Sequence, residues 1–193
     1  SLIESGEYWR QSMTRFDVQS RVDSTLMSNL RIMRRTLINQ ISKRCDTSKE
    51  TITGVVHALL NRSIFIKYLE ERKDSNGETV FPQDFYCNFM KSAKQYTDVL
   101  NSKEATYNLF RTLKEKFNGD TLQVSEIEAE IITQDDLNEL RTFILGDSEL
   151  ESKQLTLWPL YSFDIIPIQL ISSIYELFFH LSEEDDEKGT YYT

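Results

Sequence analysis

Glycine and proline are scarce in this chain, at 6 and 3 of 193 residues. So few turn formers disfavour a β-sandwich or barrel, which needs frequent tight turns, and point to helices. Cysteine is rarer still. Cys45 and Cys87 show no disulfide-framework spacing, so a reducing cytoplasm is the expected setting. Histidine is limited to His57 and His180, with no further histidine or cysteine at ligand spacing. Zinc needs three or four ligands, so no metal site is expected. No two glycines stand close enough for G-x-G or a phosphate loop, and no G-x-S-x-G elbow is present. No apolar run approaches the ~20 residues of a membrane span, and no leader-type pattern opens the chain. No membrane partner is expected. An overall excess of cations is also missing. The net charge of −9 argues against the whole surface serving as a nucleic-acid platform.

What is there is charge sorted along the chain. Residues 21–44 carry Arg21, Arg31, Arg34, Arg35, Lys43 and Arg44 against Asp23 alone, a local +5. Residues 120–151 carry ten acids against Arg141, a local −9. Sorted charge of this kind suits binding.

Apolar spacing predicts a mainly α protein, an irregular multi-helix bundle. Residues 1–20 read as an N-terminal segment or linker from an upstream domain. Residues 21–182 read as the helical domain, and 183–193 as an acidic linker with the start of a further domain. Leu26, Leu30, Met33, Leu37 and Ile41 recur at helical steps. Arg31, Arg34 and Arg35 fall beside that stripe, on the flank expected to be exposed. Ser48 and its neighbours supply caps for a helix over about 48–73, apolar around most of its circumference. Asp74-Ser75-Asn76-Gly77 is a turn. Residues 84–100 and 102–117 are read as two further helices. Residues 121–132 alternate in part and allow either a short extended segment or a short helix. Thr133 to Asp136 forms a capping box for a helix stopped by Gly146. Pro167 suits the first turn of a last helix over about 167–181.

Complete catalytic constellations are missing, and no catalytic residue is assigned. Glu71-Arg72-Lys73 and Asp186-Glu187-Lys188 fit the acid-x-Lys spacing of metal-dependent nucleases. The first ends a predicted helix and the second sits in an acidic run, whereas such a pair needs a strand to share its cation. Glu176 lies alone on a polar stripe and reads as a partner for a neighbouring helix. Arg31, Arg34 and Arg35 are candidates for DNA-backbone contact. They equally suit a solvated face or pairing with the chain's surplus acids.

Five segments, in order, resemble one family, the adenine-specific (N6) DNA methyltransferases of type II, IIG-like, restriction–modification enzymes. "RVDSTLMSNLRIMRRTL" (21–37) is similar to the helix that opens their helical region. "HALLNRSIFIKYLEER" (57–72), "YNLFRTLKEKFNGD" (107–120) and "LWPLYSFDIIPIQLISSIYELFF" (157–179) resemble successive stretches leading to the catalytic domain. "GTYYT" (189–193) resembles the G-x-Y-Y-T-P motif with which that domain begins. The resemblance implies a parent enzyme that transfers methyl from S-adenosylmethionine to adenine N6 in double-stranded DNA, with the base flipped out of the duplex. It also implies that Gly189, Tyr191, Tyr192 and Thr193 lie at the cofactor. The family's glycine-bearing cofactor loop and N-P-P-Y tetrad have no counterpart here. The three prolines follow Phe81, Trp158 and Ile166. These 193 residues alone are therefore expected to be inactive and to hold no cofactor tightly. The missing methyltransferase domain is the expected partner, whether or not a nuclease accompanies it. The rival expectation is a stand-alone helical interaction module that docks through its acidic face.

Overall fold

The stripe of Leu26, Leu30, Met33, Leu37 and Ile41 is buried along one face of α1 (Glu7–Ser42). The structure is a computed structural model that describes residues 7–117 and 122–146 together with 174 and 176. Helix α1 runs unbroken through residues 20 and 21. Its 36 residues make a rod of about 54 Å at 1.5 Å per residue.

Helix α2 (Lys49–Glu71) packs against α1. The Ser48 side chain accepts the Thr51 amide at its start, so one of the four orphan N–H groups is satisfied. Burial on α2 extends past the apolar residues to Thr53, His57, Arg62, Ser63 and Lys67. A helix covered on so many sides must find partners for its polar groups. After α2, Asp74 Oδ1 accepts the amides of Asn76 and Glu78, and Gly77 takes a left-handed φ of 81°. These bonds hold the Asp74 carboxyl below its ordinary range, the Glu78 amide contributing most.

The expected helix over 84–100 does not form as one piece. A 3-10 turn (Phe85–Asn88) is followed by the four-residue α3 (Tyr96–Val99). Two things divide it. Phe85 stacks on Phe81 at 4.5 Å and meets Tyr86 and Phe89 edge-on, which fixes the first turn. The Asp98 carboxylate then accepts the amides of Lys94 and Gln95, so those donors leave the helical ladder.

Helix α4 (Lys103–Phe117) is close to its expected bounds. Residues near 121–132 hold a short helix, α5 (Glu126–Ile131), and not the extended segment. The Ser125 side chain caps it by accepting the Glu128 amide, and Glu128 and Ile131 are buried at helical spacing. Helix α6 (Gln134–Leu145) begins at the expected capping box of Thr133 and Asp136. It ends at Gly146, whose φ is 81°. Among the described residues there are six α-helices and no strand, only an isolated bridge between Lys73 and Thr79.

One core joins these elements, with Leu59, Phe110, Leu113, Leu137 and Phe143 at 0–1% exposure. Side chain to backbone bonds tie the helix ends together. Glu70 accepts the Tyr96 amide at 2.6 Å. Gln134 accepts the Lys103 amide and donates to the Leu100 carbonyl. Ile174, in the expected last helix, is helical and fully buried, and Glu176 is helical and exposed. The rest of that helix lies outside the described residues.

Candidate functional site

The three candidate arginines sit on α1 but divide in their surroundings. Arg31 and Arg35 are exposed, as expected. Arg34 is buried, with 9% of its surface accessible, which corrects the expectation that it stands on an exposed flank. Its Nε donates to Nε2 of His57 on α2 at 2.5 Å. The reason is helical geometry: a residue one step from Arg35 is turned by about 100°, which here carries it toward α2.

All three arginines nevertheless line one depression of about 440 Å³. Ser28, Ile32, Ile38 and Asn39 complete its α1 side, and Lys49 enters from the first turn of α2. Among the described residues that line it, four are cations. The N-terminus of α2 adds the positive end of a helix dipole beside Lys49. Such a cluster of cations attracts phosphate oxygens. Lys49 was not singled out from the sequence, because only the antiparallel return of α2 brings it beside Arg35. The signal available was its place directly after a capping serine.

Other cations, the buried Arg62 and Lys67 and the exposed Arg44, are oriented differently, by carboxylates. Arg62 is fully buried on α2, and Glu128 of α5 is 1% exposed. Arg62 Nη1 donates to Glu128 Oε1 at 2.6 Å, and Nη2 donates to the Gln123 carbonyl at 2.6 Å. The guanidinium also lies 4.6 Å from the centre of the Phe110 ring. Arg44, after α1, donates to Asp136 at 2.6 Å and to the Ile131 carbonyl. Lys67 pairs with Glu70 and Glu71, at 2.5 and 2.9 Å. Burial works against the Lys67 charge, but Glu70 and then Glu71 outweigh it and hold its pKa above the ordinary lysine value.

Part of the acidic stretch 120–151 is thus turned inward, at Glu128 and Asp136, while Glu126, Glu130 and Asp135 remain exposed. Three tyrosines near these pairs have raised pKa values. Burial is the main cause for Tyr86, Tyr96 and Tyr107. The negative charge of Glu70 adds to it at Tyr86, and that of Glu128 at Tyr107.

The other sequence candidates can be placed briefly. Glu71 ends α2 and pairs with Lys67, which suits a surface ion pair better than a metal ligand. Among the described residues no group of three or more His, Cys, Asp or Glu side chains is placed to hold a metal ion. Among them, too, no helix is long and apolar enough to cross a membrane. Gly189, Tyr191, Tyr192 and Thr193 lie outside the described residues, as does the acidic run 183–187. No protein-family model, curated protein or solved structure matches this chain.

Proposed function

We propose that this chain is the helical scaffold of a restriction–modification DNA adenine N6-methyltransferase, and that it holds the DNA backbone through the groove between α1 and α2. The observation that carries the DNA contact is the groove itself, where Arg31, Arg34, Arg35 and Lys49 meet. The assignment to a methyltransferase rests on the ordered resemblance of segments 21–37, 57–72, 107–120, 157–179 and 189–193. The first three of these fall mainly on α1, α2 and α4. In this reading the parent enzyme is bacterial, acts in the cytoplasm, and takes S-adenosylmethionine as methyl donor. The cofactor is held by the methyltransferase domain, with Gly189, Tyr191, Tyr192 and Thr193 at its edge. The scaffold contributes affinity and orientation, and sequence reading lies elsewhere in the parent.

The rival, a stand-alone module docking through an acidic face, is weakened by the inward turn of Glu128 and Asp136. Those two carboxylates hold Arg62 and Arg44 and are not presented to a partner.

Salt dependence of duplex binding tests the proposal. Each phosphate contact contributes about 0.9 to the slope of log K against log salt. Replacing Arg31, Arg35 and Lys49 together by Ala is expected to lower the slope by roughly 2–3. A slope unchanged in that variant would remove the groove from DNA binding.

A further inference from the structure

We propose that Asn76 is a self-modifying position: its side-chain amide is lost to the main-chain nitrogen of Gly77, at a rate set by the Asp74 turn. The turn follows the C-terminal end of α2, at the far end of that helix from Lys49 and the groove.

The reaction needs only water. The Gly77 nitrogen gives its proton to solvent and forms a bond to Cγ of Asn76. The Cγ–Nδ2 bond breaks and ammonia leaves, which closes a five-membered imide. Water then opens the ring at either carbonyl. One opening leaves aspartate at position 76. The other leaves isoaspartate, with the main chain running through the former side chain. Asparagine and water have become an acid and ammonia, and nothing is oxidised or reduced.

Three observations place this chemistry at Asn76. Asn76 and Gly77 are both exposed, so water and base reach them. Gly77 has no side chain to crowd the ring, and a Cβ built there would meet nothing within 4 Å. Among the described residues, Asn76 is also the one asparagine followed by glycine. Asn88 and Asn101, equally exposed, precede Phe89 and Ser102, and their side-chain amides donate to the Phe85 and Asp98 carbonyls at 2.9 and 3.0 Å. Asn118 precedes Gly119 and lies outside the described residues.

The same turn restrains the reaction. The Gly77 N–H donates to the Asp74 carbonyl at 3.0 Å. That proton must leave before the nitrogen can attack, so this bond must break first. The Asp74 carboxylate fixes the rest. Its Oδ1 accepts the amides of Asn76 and Glu78 at 2.8 and 2.9 Å, and its Oδ2 lies 3.4 Å from Asn76 Nδ2. Its charge also opposes a second negative charge on a nearby nitrogen. Conversion therefore passes through opening of the turn, and a short exposed segment opens more readily than the core.

The product undoes the turn. An acid at position 76 stands between Asp74 and Glu78, so like charges crowd residues 74–78. Isoaspartate lengthens the main chain by one carbon. That shifts the register of the Asp74 amide on the Glu78 carbonyl and of the bridge between Lys73 and Thr79.

The test incubates the full chain at mildly alkaline pH and follows the tryptic peptide 74–91, freed at Lys73 and Lys91, by chromatography and mass spectrometry. Wild type is expected to yield an aspartyl and an isoaspartyl peptide of equal mass, with fragmentation placing the change at residue 76. Asn76→Gln is expected to stay unconverted over the same period, because its longer side chain closes a six-membered ring far less readily. Asp74→Ala is expected to convert roughly two- to tenfold faster than wild type, the factor that one hydrogen bond of ordinary net strength supplies. The chain unfolded in urea is expected to convert at least as fast as that variant. Circular dichroism checks that Asp74→Ala folds, and Asp74→Ser replaces it if it does not.

A folded chain whose Asn76 stays intact overturns the inference, whether or not the urea-unfolded chain converts. Equal rates in wild type and Asp74→Ala overturn it too, because Asp74 then does not set the rate. So does conversion of wild type as fast in buffer as in urea, where the turn restrains nothing.

Discussion

Arg62 and Glu128 show what a single residue can hide. Each is almost fully buried, and each would be an uncompensated charge without the other. Removing one partner from such a pair costs about 3–5 kcal/mol, because the remaining ion stays buried and unpaired. Glu128→Ala is therefore expected to lower unfolding stability by about that amount in urea titration. The double replacement Arg62→Met and Glu128→Leu is expected to cost far less, since no charge is then stranded. A similar loss in both variants would show that packing, not charge, dominates there. Nothing in "LLNRSIF" or "SEIEAEI" marks this pair, because a pattern reading assigns charged residues to the surface.

A second residue-scale prediction concerns alkaline pH. Lys67, Tyr86, Tyr96 and Tyr107 all have pKa values raised in the folded chain. A raised value means that the folded state holds its proton where the unfolded state has lost it. The stability these groups contribute is fully present below the ordinary tyrosine and lysine values, about 10 and 10.4. It is lost as pH rises through the raised values. The urea midpoint should stay flat on account of these four groups from neutral pH to about 9, then fall as pH increases further. A midpoint that holds above about pH 11 would contradict the assignment.

At the scale of elements, the helix signals divide into those carried locally and those set by contacts. Caps were legible. Ser48, Thr133 and Gly146 act where their residue types predict. The same substitution should have opposite signs at two glycines. Gly54 is exposed within α2, and a Cβ there would meet nothing within 4 Å. Gly54→Ala should therefore stabilise by about 0.5–1 kcal/mol. Gly146 has a φ of 81°, so Gly146→Ala should destabilise by about 1 kcal/mol or more through backbone strain. Midpoint shifts in urea without a change in m would check both. What was not legible was the break between residues 88 and 96. Phe85, Phe89 and Tyr96 have spacings that suit a continuous helix. The break depends on a carboxylate, Asp98, reaching back to two amides, and on an aromatic cluster that includes Phe81 from outside the segment. The choice at α5 was likewise tertiary, because one of the two residues that its helix buries is a glutamate held by a distant arginine.

At the scale of the molecule, a chain of net charge −9 keeps a depression lined by four cations. Duplex binding through such a site should be weak, steep in salt and indifferent to sequence. In competition assays, duplexes of unrelated sequence are expected to compete within about twofold of one another. A tenfold preference would place base-reading groups in this chain and contradict the division of labour proposed for it.

By itself the sequence determined the helical class, the helices α2, α4 and α6, the part of α1 from about residue 23, the caps at Ser48, Thr133 and Gly146, and the excess of cations on α1. It could do so because periodicity, propensity and capping act within a few residues. Only the tertiary structure decided which charges face water. Arg34 turns in to His57, Arg62 finds Glu128, Arg44 finds Asp136, and Lys49 joins Arg31 and Arg35. Each outcome depends on a partner many positions away in the chain. Whether a buried charge is stabilised is settled by the distance to that partner, and one helix carries no information about it.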